Sequence, residues 1–183
     1  MRGRGVIAVG LLGLGLVGLP AEQALAAGGA ATPDYWLLTE FDWGDAPEIV
    51  EDSVTVAPGW LCMRLKDKCR FVKVVVDGEE LLARFHYVGR RLDRITFLTP
   101  DLDRGQAEEH MGRVWRTLSG YVERFKGKAD VARSYPVLES VSEETPTPTH
   151  YWMRPDMQIR IEVGRNAEKY YVAAIFSPPY EAK

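Results

Sequence analysis

Hydrophobic and polar positions change period along the chain, and the changes mark its elements. From Asp103 to Gly127 apolar residues fall at Ala107, Met111, Val114, Trp115, Leu118, Val122 and Phe125, with charges between them. Steps of three and four place this set on one stripe of an α-helix of about six turns. Asp103 suits the N-cap with Gln106 as capping-box partner, and Gly127 suits the left-handed position after the last turn. Elsewhere the period is two. Met157, Ile159, Ile161 and Val163 alternate with Gln158, Arg160 and Glu162, the pattern of a strand with one face on a core and one in water.

Upstream of the helix, Trp60 to Leu65, Cys69 to Val76, Glu79 to Val88 and Leu92 to Leu98 read as strands. Asp77-Gly78 is a two-residue hairpin signal, and Gly89-Arg90-Arg91 makes the next turn. The reading is a meander of three or four antiparallel strands. Asp45-Ala46-Pro47-Glu48 opens a short helix to about Asp52. After Gly127 the pattern gives an edge strand at Tyr135 to Leu138 and an exposed Pro/Thr-rich loop over 140–149. A terminal hairpin follows: His150 to Arg154, Met157 to Val163 and, after Gly164-Arg165-Asn166, Lys169 to Ser177. The fold class is α+β, an antiparallel sheet with one long amphipathic helix across one face and a short N-terminal helix.

The first 26 residues differ in kind. Arg2 and Arg4, an apolar run from Val6 to Leu19 and Ala24-Leu25-Ala26 have the layout of a secretory signal peptide cleaved after Ala26. The run is shorter than the ~20 residues of a membrane span, so no span is expected in the mature chain. Gly13-Leu14-Gly15-Leu16-Val17-Gly18 spells a dinucleotide-binding fingerprint but follows no strand, so it carries no such meaning. Residues 27–35 have the composition of a flexible mature N-terminus, and 36–180 form one domain. The protein is expected to be exported, periplasmic or secreted.

Charge is uneven. Residues 27–60 hold seven acids and no Lys or Arg, whereas 61–133 hold sixteen bases and eleven acids. Packing of the acidic segment beside the basic one is the plain explanation, and an anion-binding role the functional one.

Candidate chemistry is sparse. Cys62 and Cys69 in an exported chain read as a disulfide, worth roughly 2.5 kcal/mol by the loop-entropy model. The C-x6-C spacing is not that of a redox pair. His86, His110 and His150 share no metal-ligand spacing, and Asp101-Leu102-Asp103 lacks the Gly and the twelfth-position acid of a calcium loop. No nucleophile elbow is present, and adjacent Glu108 and Glu109 diverge on the helix. Neither catalytic residues, metal, cofactor nor nucleic acid is implied. If Ile159, Ile161, Ile95, Phe97, Leu81, Ala83 and Phe85 face the helix, then Arg84, His86, Arg94 and Arg160 cluster on the opposite, wet face. The plain reading of that cluster is a solvated surface. The functional one is a site for an anion, binding more strongly below about pH 6.5 as His86 gains its proton. Five Trp, with Tyr151, Tyr170 and Tyr171, offer material for a sugar- or peptide-stacking surface, although most are expected in the core.

Phe41-x-Trp43-Gly44, the capped turn with Ile49-Val50, Leu92-x-x-Ile95-x-Phe97, the helix closing at Phe125-Lys126-Gly127 and the terminal strands with Trp152 and Ile159 to Phe176 resemble a recurring pattern in small bacterial envelope proteins. The arrangement is also similar to sheet-plus-helix modules of outer-membrane assembly lipoproteins and β-lactamase-inhibitor-type proteins. This resemblance implies a non-enzymatic role, although the lipid-bearing Cys of many such proteins is absent. The expected function is that of an exported, non-catalytic binding or envelope-maintenance domain contacting an envelope protein or an anionic polymer. The alternatives are a small hydrolase of a cell-wall or other extracytoplasmic polymer with converging carboxylates, and a secreted inhibitor.

Overall fold

A computed structural model describes residues 36–56, 60–65 and 68–179, with backbone alone at 63–65 and 68–71. The expected signal peptide, its expected cleavage after Ala26 and the expected N-terminal tail to residue 35 lie outside the described residues. The fold is α+β. Helix α1 (Pro47–Val56) precedes strands β1 (Trp60–Leu65), β2 (Lys68–Val76), β3 (Glu79–Val88) and β4 (Arg91–Leu98). A two-residue β5 (Leu102–Asp103) leads into α2 (Arg104–Lys126). Then come β6 (Val131–Ala132), a 3-10 turn at Leu138–Ser140, β7 (Thr147–Met153), β8 (Gln158–Asn166) and β9 (Lys169–Ser177).

All nine strands join one antiparallel sheet in the order β1-β2-β3-β4-β9-β8-β7-β6, with β5 also on β9. The last strand is therefore central, pairing with β4 on one side and β8 on the other. Asp77 and Gly78 both take positive φ (45° and 86°), as the tight turn between β2 and β3 requires. Beyond the β4 ladder, Thr99 continues the join, its N–H donating to the Val172 carbonyl and its hydroxyl accepting the Val172 N–H, each at 3.0 Å.

One face of the sheet is the core. Val72, Val74, Leu81, Ala83, Ile95, Phe97, Val172, Ala174, Phe176, Ile159, Ile161 and Trp152 point into it, and α2 covers them with Ala107, Met111, Val114, Leu118 and Val122. At about 25 cal/mol per Å2 of apolar surface removed from water, such a layer supplies the main driving force for folding. Tyr121, absent from the apolar stripe, is also fully buried. Its hydroxyl accepts the Leu37 N–H at 2.7 Å, and its ring stacks on Trp36 at 5.3 Å.

Several expectations are corrected. The first helix runs on to Val56. Asp103 makes no side-chain cap, because its backbone is drawn into the ladder opposite Lys169. Gly127, at φ 75°, closes the helix as expected, with its N–H on the Glu123 carbonyl. Trp115 is half-buried at the edge of the stripe, its Nε1 donating to Thr149 at 2.9 Å. The edge strand is Val131–Ala132 and not Tyr135 to Leu138. The Pro-rich loop ends early, since Thr147-Pro148-Thr149 belong to β7 and Val141 is buried. Proline is tolerated there at a bulge between Pro148 and His150. The final turn is Ala167-Glu168, and Gly164-Arg165-Asn166 stay in β8. Cys62 stands opposite Val72 and Cys69 opposite Arg64, so the two are not directly facing. The Cys69 side chain lies outside the described residues.

Candidate functional site: a basic groove on the outer face

The sheet face turned away from α2 holds the site, and strand alternation decides what reaches it. On β3 and β4, His86 stands directly opposite Arg94, and Arg84 opposite Thr96. A bulge at Asp93 shifts the register beyond this point, so Leu92 returns to the core. The ladder continues across β9 and β8. Thr96 faces Ile175, which faces Arg160, which faces Tyr151 of β7.

Arg84, His86 and Arg94 line one groove of about 460 Å3 together with Thr96, Asp101, Glu143, Glu162, Arg165 and Tyr171. Arg160 is not in that group. It lines a neighbouring hollow of about 370 Å3 with Asp93, Tyr151 and Gln158, and Arg94 and Ile175 border both. Of the four expected residues, three therefore converge, and Arg94 links them to the fourth.

Their charges are not equivalent. Arg160 is engaged: its Nε stands 2.8 Å from Glu162 Oε2, and its Nη1 donates to the Tyr151 hydroxyl at 3.4 Å. Arg165 at the far end pairs with Glu143 at 3.2 Å and Glu168 at 3.5 Å. Arg84 and Arg94 are exposed, and among the described residues neither has a carboxylate within ion-pair distance. His86 lies between them, its Nε2 3.4 Å from the Thr96 hydroxyl. Burial, then Arg94 and Arg84, hold the imidazole below its usual pKa, with Asp93 opposing. Its proton is therefore taken up at a lower pH than 6.5, which corrects the expected midpoint.

Glu162 was expected on the wet face and does lie on the outer side, yet it is only 6% exposed. Burial raises its pKa, while Arg160 and Arg94 pull the other way. Sequence alternation identified its side of the strand but not its depth. Tyr171 crosses Gly164, where a Cβ would fall 2.1 Å from the Tyr171 Cζ. Tyr171 was among the residues offered for a stacking surface and lines this groove, whereas Gly164 read as part of a turn and lies in β8.

No set of three or more His, Cys, Asp or Glu among the described residues is placed to hold a metal ion. No helix there is long and apolar enough to cross a membrane. The groove offers cationic hydrogen-bond donors, one sunken carboxylate and a tyrosine ring. No family model, curated protein or solved structure matches the chain.

Proposed function

We propose that the protein is an exported, non-catalytic binding domain whose outer-face groove takes an anionic ligand of the cell envelope. One observation carries this reading: Arg84 and Arg94 project from adjacent strands into one groove without an acidic partner among the described residues. These like charges stand diagonally across the β3–β4 pair and repel each other, and an anion between them relieves that repulsion with bidentate hydrogen bonds. The signal-like first 26 residues and the likeness to envelope modules support the compartment.

The test is charge reversal. Arg84→Glu with Arg94→Glu is compared with Arg113→Glu with Arg116→Glu, two exposed positions on α2 that change net charge equally. Retention on phosphocellulose should fall for the groove pair and much less for the control pair. It should weaken with salt in the native protein. Equal loss from both pairs would reduce the effect to net charge and remove the site.

A second reading, hydrolysis of an extracytoplasmic polymer, draws on Glu162, Asp101 and Glu143 lining the same groove, with the Glu162 pKa raised as a general acid needs. Polymer cleavage that is abolished by Glu162→Gln would favour it over simple binding.

A further inference from the structure

A groove meant for a bare anion has no use for a carboxylate in its floor, and Glu162 occupies that place. It shares the lining with Arg84, His86 and Arg94 and would repel phosphate or sulfate seated on them. Its Oε2 has the Arg160 ion pair at 2.8 Å, but the Nε–H is not aimed to complete a hydrogen bond. Among the described residues, no donor is directed at Oε1. Glu162 lines the groove, so this acceptor is open to a donor that the ligand brings.

Tyr171 supplies the second constraint. Its ring fills the space above Gly164 that a side chain would take, with a notional Cβ 2.1 Å from Cζ and 2.3 Å from Oη. Gly164 pins one side of the ring against the strand while the half-buried residue borders the groove. The site thus sets a fixed aromatic surface, an acceptor and two guanidinium groups without an acidic partner among the described residues around one space. A flat apolar face, a hydroxyl and an anionic group are what a ligand needs to use all three.

We infer that the groove recognises an acidic saccharide, with its acid group on Arg84 and Arg94, a hydroxyl donating to Glu162 and a sugar face against Tyr171. The inference rests on the anion-binding reading and narrows it. Acidic peptides and inorganic polyphosphate present charge without a sugar face beside a hydroxyl, and they engage the guanidinium groups alone. Sites built to hydrogen-bond a substrate hydroxyl discriminate strongly against analogues that lack it.

Calorimetric titration of the purified protein with a galacturonate oligosaccharide, a hexose phosphate, a polyglutamate peptide and inorganic polyphosphate tests this. At least one of the two saccharide probes should bind ten-fold or more tightly than peptide and polyphosphate, and which one does so identifies the acid group. Glu162→Met, which removes the acceptor, and Tyr171→Ala should each erase that preference while leaving polyphosphate binding in place. Tyr171→Phe, which retains the ring and serves if Tyr171→Ala unfolds, should keep it. Equal binding of all four probes, or a preference that survives both Glu162→Met and Tyr171→Ala, overturns the inference. If polyphosphate binds and the Arg84→Glu with Arg94→Glu pair abolishes it, the anion site stands even when the saccharide inference fails. If that pair affects no probe, both readings fall.

Discussion

The phenol of Tyr121, deep beneath α2, accepts the backbone N–H of Leu37 at 2.7 Å and so fastens the segment before α1 to the helix. Tyr121→Phe keeps the ring and removes the acceptor. A buried N–H left without a partner costs about 1–3 kcal/mol, which should appear as a lower urea midpoint. An unchanged midpoint would mean that this N–H finds another acceptor.

Leu118 is fully buried on the same helix, and Arg116 is exposed on the other side. Leu118→Ala should cost about 2–5 kcal/mol and Arg116→Ala less than about 0.5 kcal/mol. Trp115→Ala should fall between them, since its ring is half-buried and its indole N–H holds Thr149. Equal urea midpoint shifts for Leu118→Ala and Arg116→Ala would refute the placement of the stripe.

Acid should weaken the fold through its histidines before its carboxylates. His150 is stacked on Trp152 at 5.5 Å and edge-on to Trp115 at 5.3 Å. The Thr149 hydroxyl gives its hydrogen to the Ile161 carbonyl, so His150 Nδ1 donates to Thr149 and the neutral ring carries its proton there. Burial lowers the His150 pKa from 6.5, against a smaller upward pull from Glu123, and His86 is lowered as well. A lowered folded value means the full contribution is present above about pH 6.5 and is lost as pH falls from there through the lower folded pKa. Glu162, raised from 4.5, acts in the opposite sense, its contribution being fullest below that value and lost as pH rises through its folded pKa. Urea midpoints between pH 7 and 5.5 should fall in the native protein and fall less in His150→Asn. An equal fall in the native protein and in His150→Asn would contradict the burial of the His150 ring.

Cys62 and Cys69 should form an intrachain disulfide in exported protein, spanning the turn between β1 and β2. Labelling of the unreduced protein should find no free thiol. Two labelled thiols, or a dimer on a non-reducing gel, would refute the bridge.

Exported material should begin at Ala27, following the small residues Ala24 and Ala26. Intact mass decides this, and retention of Met1 would rule out cleavage.

What the sequence revealed were the elements whose burial is dictated by apolar period. The stripe of α2, the four strands before it and the alternation of Ile159 with Arg160 needed nothing but side-chain spacing. Tyr121 escaped because its polar end is satisfied by a backbone group 84 residues away. Thr147 and Pro148 escaped because proline and threonine read as loop until a bulge and a neighbouring strand accommodate them. The groove was half legible. Parity placed Arg84, His86, Arg94 and Arg160 on one face, but only the β4–β9–β8 order shows that Arg160 is set apart and spoken for by Glu162.

The central place of β9 also sets the order in which this chain folds. Synthesis runs from the N-terminus, so β1 to β4, α2, β7 and β8 are all made before the strand that joins them. Until Lys169–Ser177 arrives, β4 and β8 each present an open edge, and the apolar underside of α2 lacks the strand over which it lies. The β8–β9 hairpin is local, but the β4–β9 pairing joins segments about 80 residues apart and pays its loop entropy before it gains any contact, which makes the closing step slow. A fragment ending before Lys169 should therefore remain two sticky half-sheets, and the intact chain depends on staying unaggregated until its last strand is delivered.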